Sequence, residues 1–219
     1  MSGVYEAVMR WIQLPWFYWF ARWVFMVYAK VLFGLRRLDH ERVPREGGLV
    51  LAVNHIGSLD PPVMGVTVPR EISFMAKKEL FENRWAALLM RGLHAFPVDR
   101  QGRDVSAVKE ALRRLRHDRA IGVFIQGTRN EGDAAALDGA AYLAWRAGVP
   151  LQPAAIWREG RGYRVRFGEP FGVPGRGREA IRAATTMTMQ RINELLPSHT
   201  RLPAPDRDQG ASAPPPPGS

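Results

Sequence analysis

Short apolar runs alternate with amphipathic stretches through the middle of this chain, and the alternation predicts an α/β fold. Four runs, at residues 49–53, 71–76, 120–125 and 151–157, are apolar and too short for helices, which is typical of buried strands. A fifth stretch, at residues 163–167, alternates apolar and polar positions and predicts an edge strand. Since strands separated by helices tend to pair in parallel, we expect a mixed, mostly parallel sheet flanked by helices.

The stretches between these strands space their apolar residues as helices do. One helix is predicted to begin after Asp104, and its expected core residues are Val105, Val108, Leu112 and Leu115. Further helices are predicted at residues 61–68, 77–90, 139–147 and 178–196.

The first 37 residues differ from the remainder in their aromatic content. Trp11, Trp16, Trp19 and Trp23 all lie there, and tryptophan is enriched where a membrane meets water. We therefore predict three parts, listed here in chain order: a membrane-associated helical segment at residues 1–37, a globular domain at residues 38–197, and a disordered Pro-rich tail at residues 198–219.

Three arrangements of the aromatic segment are compatible with its sequence. Residues 14–35 are long enough to span a membrane, although Pro15 interrupts the start and Arg22 places a charge inside. A water-soluble helix that packs its aromatics on the core is the second arrangement. We favour the third, a helix or helical hairpin embedded in one leaflet, whose basic residues reach the headgroups. Those residues are Arg10, Arg22, Lys30, Arg36 and Arg37.

The net charge and the absence of cysteine limit which partners, nucleophiles and metal ligands are possible. The chain has 31 Lys and Arg against 21 Asp and Glu, so its net charge of +10 predicts an anionic partner. That partner is a membrane surface, a phosphorylated substrate or a nucleic acid. No nucleic-acid recognition motif accompanies the charge, so we expect no nucleic acid. Without cysteine there is no thiolate ligand or Cys nucleophile, and the five histidines form no close pair, so no metal site is predicted.

The segment Asn54-His55-Ile56-Gly57-Ser58-Leu59-Asp60 carries the first candidate chemistry. A strand is predicted to end at His55 and a helix to begin near Asp60, so the turn between them can bring carboxylate and imidazole together. An imidazole oriented by a carboxylate can act as a general base near neutral pH. The alternative is structural, because Asp60 before Pro61 is also the pattern of an ordinary helix N-cap.

Basic residues follow other predicted strands. Lys77 follows the second strand, Arg100 closes the sequence FPVDR at residues 96–100, and Arg129 follows Gly127 after the third strand. Guanidinium groups are well suited to phosphate, and ligands of α/β sheets bind at the carboxyl ends of the strands. The pattern therefore favours a phosphate-bearing ligand at the edge that carries His55.

Four blocks of this chain resemble, in order and spacing, those of the glycerolipid acyltransferase family, whose best known members acylate 1-acylglycerol-3-phosphate. The blocks are NHIGSLD at 54–60, FPVDR at 96–100, FIQGTR at 124–129 and VPLQPAAI at 149–156. The resemblance covers about residues 40–172, and it identifies the globular domain as an acyltransferase domain.

This resemblance implies transfer of a fatty acyl group from acyl-CoA or acyl carrier protein to a lysophospholipid hydroxyl at the cytoplasmic face of the membrane. The thioester is a co-substrate, and no bound cofactor is implied. His55 would be the base and Asp60 its orienting partner, with 1-acylglycerol-3-phosphate as the expected acceptor and phosphatidic acid as the product. Substrate binding would fall to Lys77, Arg100, Gln126, Gly127, Thr128 and Arg129.

Two positions depart from the family pattern. The third block usually has Pro and Glu where this chain has Ile125 and Gln126, and Leu137 lies near the place of a basic residue. The amide of Gln126 keeps the shape of glutamate without its charge. These changes leave open another acceptor, such as a lyso-aminolipid, or a relative that binds lipid without catalysis.

Overall fold

A computed structural model describes residues 15–98, 105–126, 131–175 and 177–200 of the 219-residue chain. The helices are α1 (Pro15–Phe33), α2 (Asp60–Thr67), α3 (Arg84–Gly92), α4 (Val105–Arg116), α5 (Glu131–Ala147) and α6 (Gly177–Leu195). The strands are β1 (Arg36–Leu38), β2 (Leu49–His55), β3 (Ile72–Lys77), β4 (Phe96–Val98), β5 (Ala120–Gln126), β6 (Leu151–Glu159) and β7 (Gly162–Phe167). Residues 1–14 of the predicted membrane segment and 201–219 of the predicted tail lie outside the described residues.

The strands form one sheet in the order β1-β7-β6-β2-β5-β3-β4. Strands β2 to β6 run parallel to their sheet neighbours within that group, whereas β7 pairs antiparallel with β6 and parallel with β1. The predicted mixed, mostly parallel sheet is therefore confirmed. Its carboxyl edge collects the ends of β2, β5, β3 and β4, where the candidate residues were expected.

Helices cover both faces of the sheet. Along β2, Leu49, Leu51 and Val53 contribute to a core with residues of α1 and α2, whereas Val50 and Ala52 join a core with residues of α4, α5 and α6. This alternation follows from the pleat of a strand, which turns successive side chains to opposite faces. Both faces are apolar, which explains why β2 appears in the sequence as an uninterrupted hydrophobic run.

The prediction that residues 163–167 form an edge strand is wrong. β7 lies between β6 and the three-residue strand β1, so the described sheet ends at β1 and β4. Its alternating pattern arises because one face packs in the core and the other remains partly open, with Tyr163, Val165 and Phe167 buried. An alternating apolar and polar pattern indicates that one face of a strand is partly exposed. It does not indicate whether the strand has a neighbour on each side in the sheet.

Two helix predictions also need correction. Residues 77–90 form a short 3₁₀ segment, Lys78–Phe81, and the separate helix α3. Asn83 divides them, because its Oδ1 accepts hydrogen bonds from the backbone N–H groups of Trp85 and Ala86 and so caps α3.

In α4 the buried residues are Ala107, Ala111 and Leu115, and Leu112 is partly buried. The predicted core residues Val105 and Val108 are exposed, at 60% and 36%. The small alanines allow α4 to approach the sheet closely, which a stripe of larger residues would prevent.

Helix α1 packs on the domain through one face. Tyr18 and Ala29 are buried, and the Tyr18 hydroxyl accepts a hydrogen bond from the backbone N–H of Ile72. The guanidinium of Arg22 donates to the carbonyl oxygen of Gly65 in α2, and burial lowers the pKa of Arg22 from its ordinary value. The prediction that Arg22 reaches lipid headgroups is therefore wrong, because the docked face of α1 turns this side chain towards α2. Among the helices described, none combines the length and apolarity that crossing a membrane requires.

Candidate active site

Strand β2 delivers His55 to the carboxyl edge of the sheet, and Asn54 fixes the end of that strand. The backbone register between β2 and β6 runs as far as Val53 opposite Ala154. Beyond it, Asn54 Nδ2 donates to the carbonyl oxygen of Ile156 at 2.8 Å, and the N–H of Ile156 donates to Asn54 Oδ1 at 2.8 Å. The Asn54 side chain thus takes over the pairing between β2 and β6 where their backbone register ends. These two hydrogen bonds fix the position of the next residue, His55, at the end of β2.

The turn after β2 closes on Asp60. His55 Nδ1 lies 2.5 Å from Asp60 Oδ2, and the backbone N–H groups of Ile56 and Gly57 donate to the same oxygen at 2.6 and 2.8 Å. The carboxylate therefore organises the loop and the imidazole together. Since Nδ1 faces Asp60, the other ring nitrogen, Nε2, remains available to a substrate.

The alternative in which Asp60 is an ordinary N-cap does not fit this geometry. Leu59 occupies the N-cap position of α2, and Asp60 is the first residue of the helix. Its carboxylate bonds to the loop that precedes the helix, whereas a cap would accept from N–H groups within the first turn. The carboxylate is fully buried.

Aromatic rings pack against one side of the His55 imidazole. The His55 ring lies 5.0 Å from the Phe124 ring, centre to centre, and Phe124 stacks on Phe74 at 5.2 Å. The His55 side chain is 20% exposed, so the ring is accessible yet largely enclosed. This packing restricts rotation of the imidazole and keeps water from one side of it.

Gly122 makes room for this stack. A Cβ at Gly122 would lie 2.1 Å from Cε1 of Phe74, which is far inside van der Waals contact. We expect Gly122→Ala to lower the free energy of unfolding by about 1–3 kcal/mol, because the Phe74 ring must move away. Urea denaturation measures the loss, and adding Phe74→Leu should restore part of it by removing the collision.

Gly139 in α5 provides the control for that substitution. A Cβ there meets nothing within 4 Å, so Gly139→Ala should leave stability unchanged or raise it slightly. An equally harmless Gly122→Ala would mean that Phe74 is free to relocate and does not support the histidine.

The predicted substrate-binding residues divide into described and undescribed positions. Lys77 ends β3 at the same edge as His55 and is exposed. The strand order places it two strands from β2, at a distance of about 10 Å. The backbone of Gln126 pairs with His55 across β2 and β5, so the third block does reach the histidine. Five predictions lie outside what the structure describes: the side chain of Gln126, and Arg100, Gly127, Thr128 and Arg129. The side chain of Leu137 lies there as well.

Asn54 was not predicted to be a functional residue, although a polar residue that ends an apolar strand signals a buried hydrogen bond. In residues 15–98, 105–126, 131–175 and 177–200, no three acidic or histidine side chains gather as metal ligands. The contact between His55 and Asp60 offers acid–base chemistry.

Known proteins resemble this chain in sequence and in fold. The family model described as Acyltransferase matches residues 36–157. A 1-acyl-sn-glycerol-3-phosphate acyltransferase of Bacillus subtilis (strain 168) is 33% identical over 178 residues, covering 74% of this chain and 88% of that protein. A protein of the same name from Streptococcus pneumoniae is 35% identical over 116 residues, covering 52% of this chain and 43% of its own. The crystal structure of the 1-acyl-sn-glycerophosphate (LPA) acyltransferase PlsC from Thermotoga maritima matches with a TM-score of 0.59 and 21% identity, covering 89% of this chain and 82% of that one.

Proposed function

This chain belongs to the glycerolipid acyltransferase family, and from that premise we propose that it transfers a fatty acyl group from a thioester to 1-acyl-sn-glycerol-3-phosphate, forming phosphatidic acid. The observation that carries the proposal is the contact of 2.5 Å between His55 Nδ1 and Asp60 Oδ2 at the carboxyl edge of the sheet. The names and identities of the relatives support the acceptor. Acyl-CoA and acyl carrier protein are the proposed donors.

The reaction follows from the orientation of His55. Its Nδ1–H donates to Asp60, so Nε2 carries the lone pair that accepts a proton. The acceptor hydroxyl oxygen attacks the thioester carbonyl carbon while its proton passes to Nε2, and a C–O bond forms. When the tetrahedral intermediate collapses, the C–S bond breaks and the proton moves from Nε2 to the departing sulfur. The products are an ester and a free thiol, and no nucleophilic side chain is needed.

Incubation of the purified protein with acyl-CoA or acyl carrier protein thioesters and a panel of lysolipids tests the proposal. We expect phosphatidic acid from 1-acylglycerol-3-phosphate and slower turnover of lysolipids with other headgroups. Faster acylation of a lyso-aminolipid would overturn the acceptor. Lipid binding without any thioester consumption would instead favour a non-catalytic relative, and Gln126→Glu should then be examined for restored turnover.

Helix α1 supports a further part of the proposal, contact with a membrane. Its outward face is apolar at helical spacing, and the exposed fractions reach 64% at Trp23 and 75% at Val31. The other exposed apolar residues of α1 are Trp16, Trp19, Phe20, Val24, Val27, Tyr28 and Leu32. A face of this length and chemistry fits the boundary between headgroups and acyl chains. Since both proposed donors are soluble thioesters of the cytoplasm, we place the enzyme on the cytoplasmic face of the membrane.

Vesicle binding tests the role of this face. Trp19→Ser with Trp23→Ser should lower the partition coefficient onto anionic vesicles by about 10- to 100-fold, because two large rings lose their apolar environment. Co-sedimentation with the vesicles measures the change. Tyr142→Ser is the control, since this exposed aromatic lies on α5 at the opposite face of the sheet. Unchanged partition of the double variant would remove α1 as the lipid contact.

A further inference from the structure

An open cavity of about 440 Å³ adjoins the loop after β2, residues 56–59, on the side of β6. These loop residues line it together with residues of β6 and β7 and with Leu196 and Thr200, which follow α6. The volume lies within the range of small-ligand sites. Lys77, a described candidate for phosphate binding, ends β3 on the opposite side of β2. His55 therefore lies between this cavity and the end of β3.

Trp157 contributes ring surface to this cavity. The residue lines the cavity and is 7% exposed, and its indole Nε1 is itself enclosed, without a hydrogen-bond partner among the residues that the structure describes. Since the enclosed Nε1 does not reach the cavity, Trp157 offers a bound molecule apolar contact and no hydrogen bond.

Arg158 supplies a positioned cation at the same cavity. Its Cζ lies 4.4 Å from the centre of the Tyr163 ring, and Nη2 donates to the Tyr163 hydroxyl at 3.0 Å. The neighbouring Glu159 pairs with Arg164, and no carboxylate in the described ranges pairs with Arg158. Most of the donors of its guanidinium are thus available to an anion. Arg158 lies two residues beyond Ile156, which Asn54 holds, so it stands about 7 Å further along the strand.

We propose that this cavity binds the phosphopantetheine arm of the acyl donor. Acyl-CoA and acyl carrier protein share that arm, which joins a thioester to two amides and a phosphate. Arg158 binds its phosphate, and the ring of Trp157 packs against the arm. The thioester then reaches His55 from the side of β6 while the acceptor approaches from the side of β5. This assignment rests on the proposed function, since it takes one thioester donor as a substrate.

Calorimetric binding of coenzyme A to the full chain tests the site without turnover. We expect Arg158→Gln to raise the Kd about 10-fold, because it removes the cation that binds the phosphate. Arg161→Gln is the matched control, since Arg161 is an exposed arginine in the turn of the same hairpin and does not line the cavity. An unchanged Kd for Arg158→Gln overturns the proposal.

Steady-state kinetics separate the possible sources of the phosphate. Arg158→Gln should raise KM about 10-fold for acyl-CoA and for acyl carrier protein, while KM for the lysolipid and turnover of acyl-pantetheine, which lacks the phosphate, stay unchanged. An effect confined to acyl-CoA would assign Arg158 to the nucleotide and overturn the proposal, as would a raised KM for the lysolipid alone. Arg158-dependent binding of coenzyme A, found together with a different acceptor, would support this site while the proposed acceptor fails.

Discussion

Replacing His55 with alanine is expected to lower kcat/KM for phosphatidic acid formation by about 10²- to 10⁴-fold. The substitution removes the proposed acceptor for the proton of the attacking hydroxyl, and general base catalysis contributes rate factors of this size. The ring is partly exposed and bonds to one carboxylate, so its loss should leave the fold intact. Product formation from a thioester and lysophosphatidic acid measures the effect, and thermal unfolding verifies the structure.

His117→Ala is the matched control for that experiment. His117 is an exposed histidine just beyond the end of α4, where Nδ1 contacts the carbonyl oxygen of Arg113. It lies away from the edge that carries His55, so its removal should leave kcat/KM within about twofold. Equal turnover by His55→Ala and the wild type would contradict the mechanism while leaving the family membership untouched.

The His55–Asp60 pair could be predicted because its causes are local. Five positions separate the two residues, and a turn between an apolar strand and a helix brings their side chains together with few alternatives. The centres of β2, β3, β5 and β6 were predictable for a similar reason, since a strand buried on both faces leaves a short apolar run in the sequence. These features depend only on a short stretch of chain and on the spacing of its apolar residues.

Contacts between residues that are far apart in the chain could not be predicted from the sequence. Asn54 and Ile156 are 102 positions apart, so nothing near Asn54 indicates which backbone it holds. Strand β1 could not be predicted either. Its three residues are too few to show an apolar pattern, and its position beside β7 depends on how the whole sheet assembles. Arg22 was assigned to headgroups because local sequence shows its charge but not the carbonyl of Gly65 that receives it.

The cavity beside loop residues 56–59 also depends on distant partners. In the sequence, Trp157 is one more apolar residue of a buried strand, and only the folded structure shows that it lines this cavity. The position of the Arg158 guanidinium likewise depends on its hydrogen bond to Tyr163 on the next strand, which the sequence does not indicate. Donor recognition of the proposed kind therefore depends on the hairpin of β6 and β7, whereas proton transfer depends on a single turn.

Asp60→Asn is expected to lower kcat by at least about 10²-fold with little change in stability. The amide oxygen can still accept from the N–H groups of Ile56 and Gly57, so the loop keeps its shape. The oxygen that keeps these two bonds is also the one that faces His55 Nδ1, so it still accepts from the ring and preserves the tautomer. The amide carries no charge to stabilise the imidazolium that forms during proton transfer, and the loss of kcat follows from this.

Asp60→Ala should lose stability as well as activity, and the contrast separates the two roles of the carboxylate. Two backbone N–H groups beside a buried position would lose their acceptor, at a cost of about 2–4 kcal/mol in the free energy of unfolding. For a chain of this size that loss lowers Tm by roughly 5–15 °C. Asp138→Asn is the control, because Asp138 accepts from the Thr185 hydroxyl at an exposed position of α5. If Asp60→Asn turned over at the wild-type rate, the carboxylate would serve only to shape the loop, and His55 would act without an anionic partner.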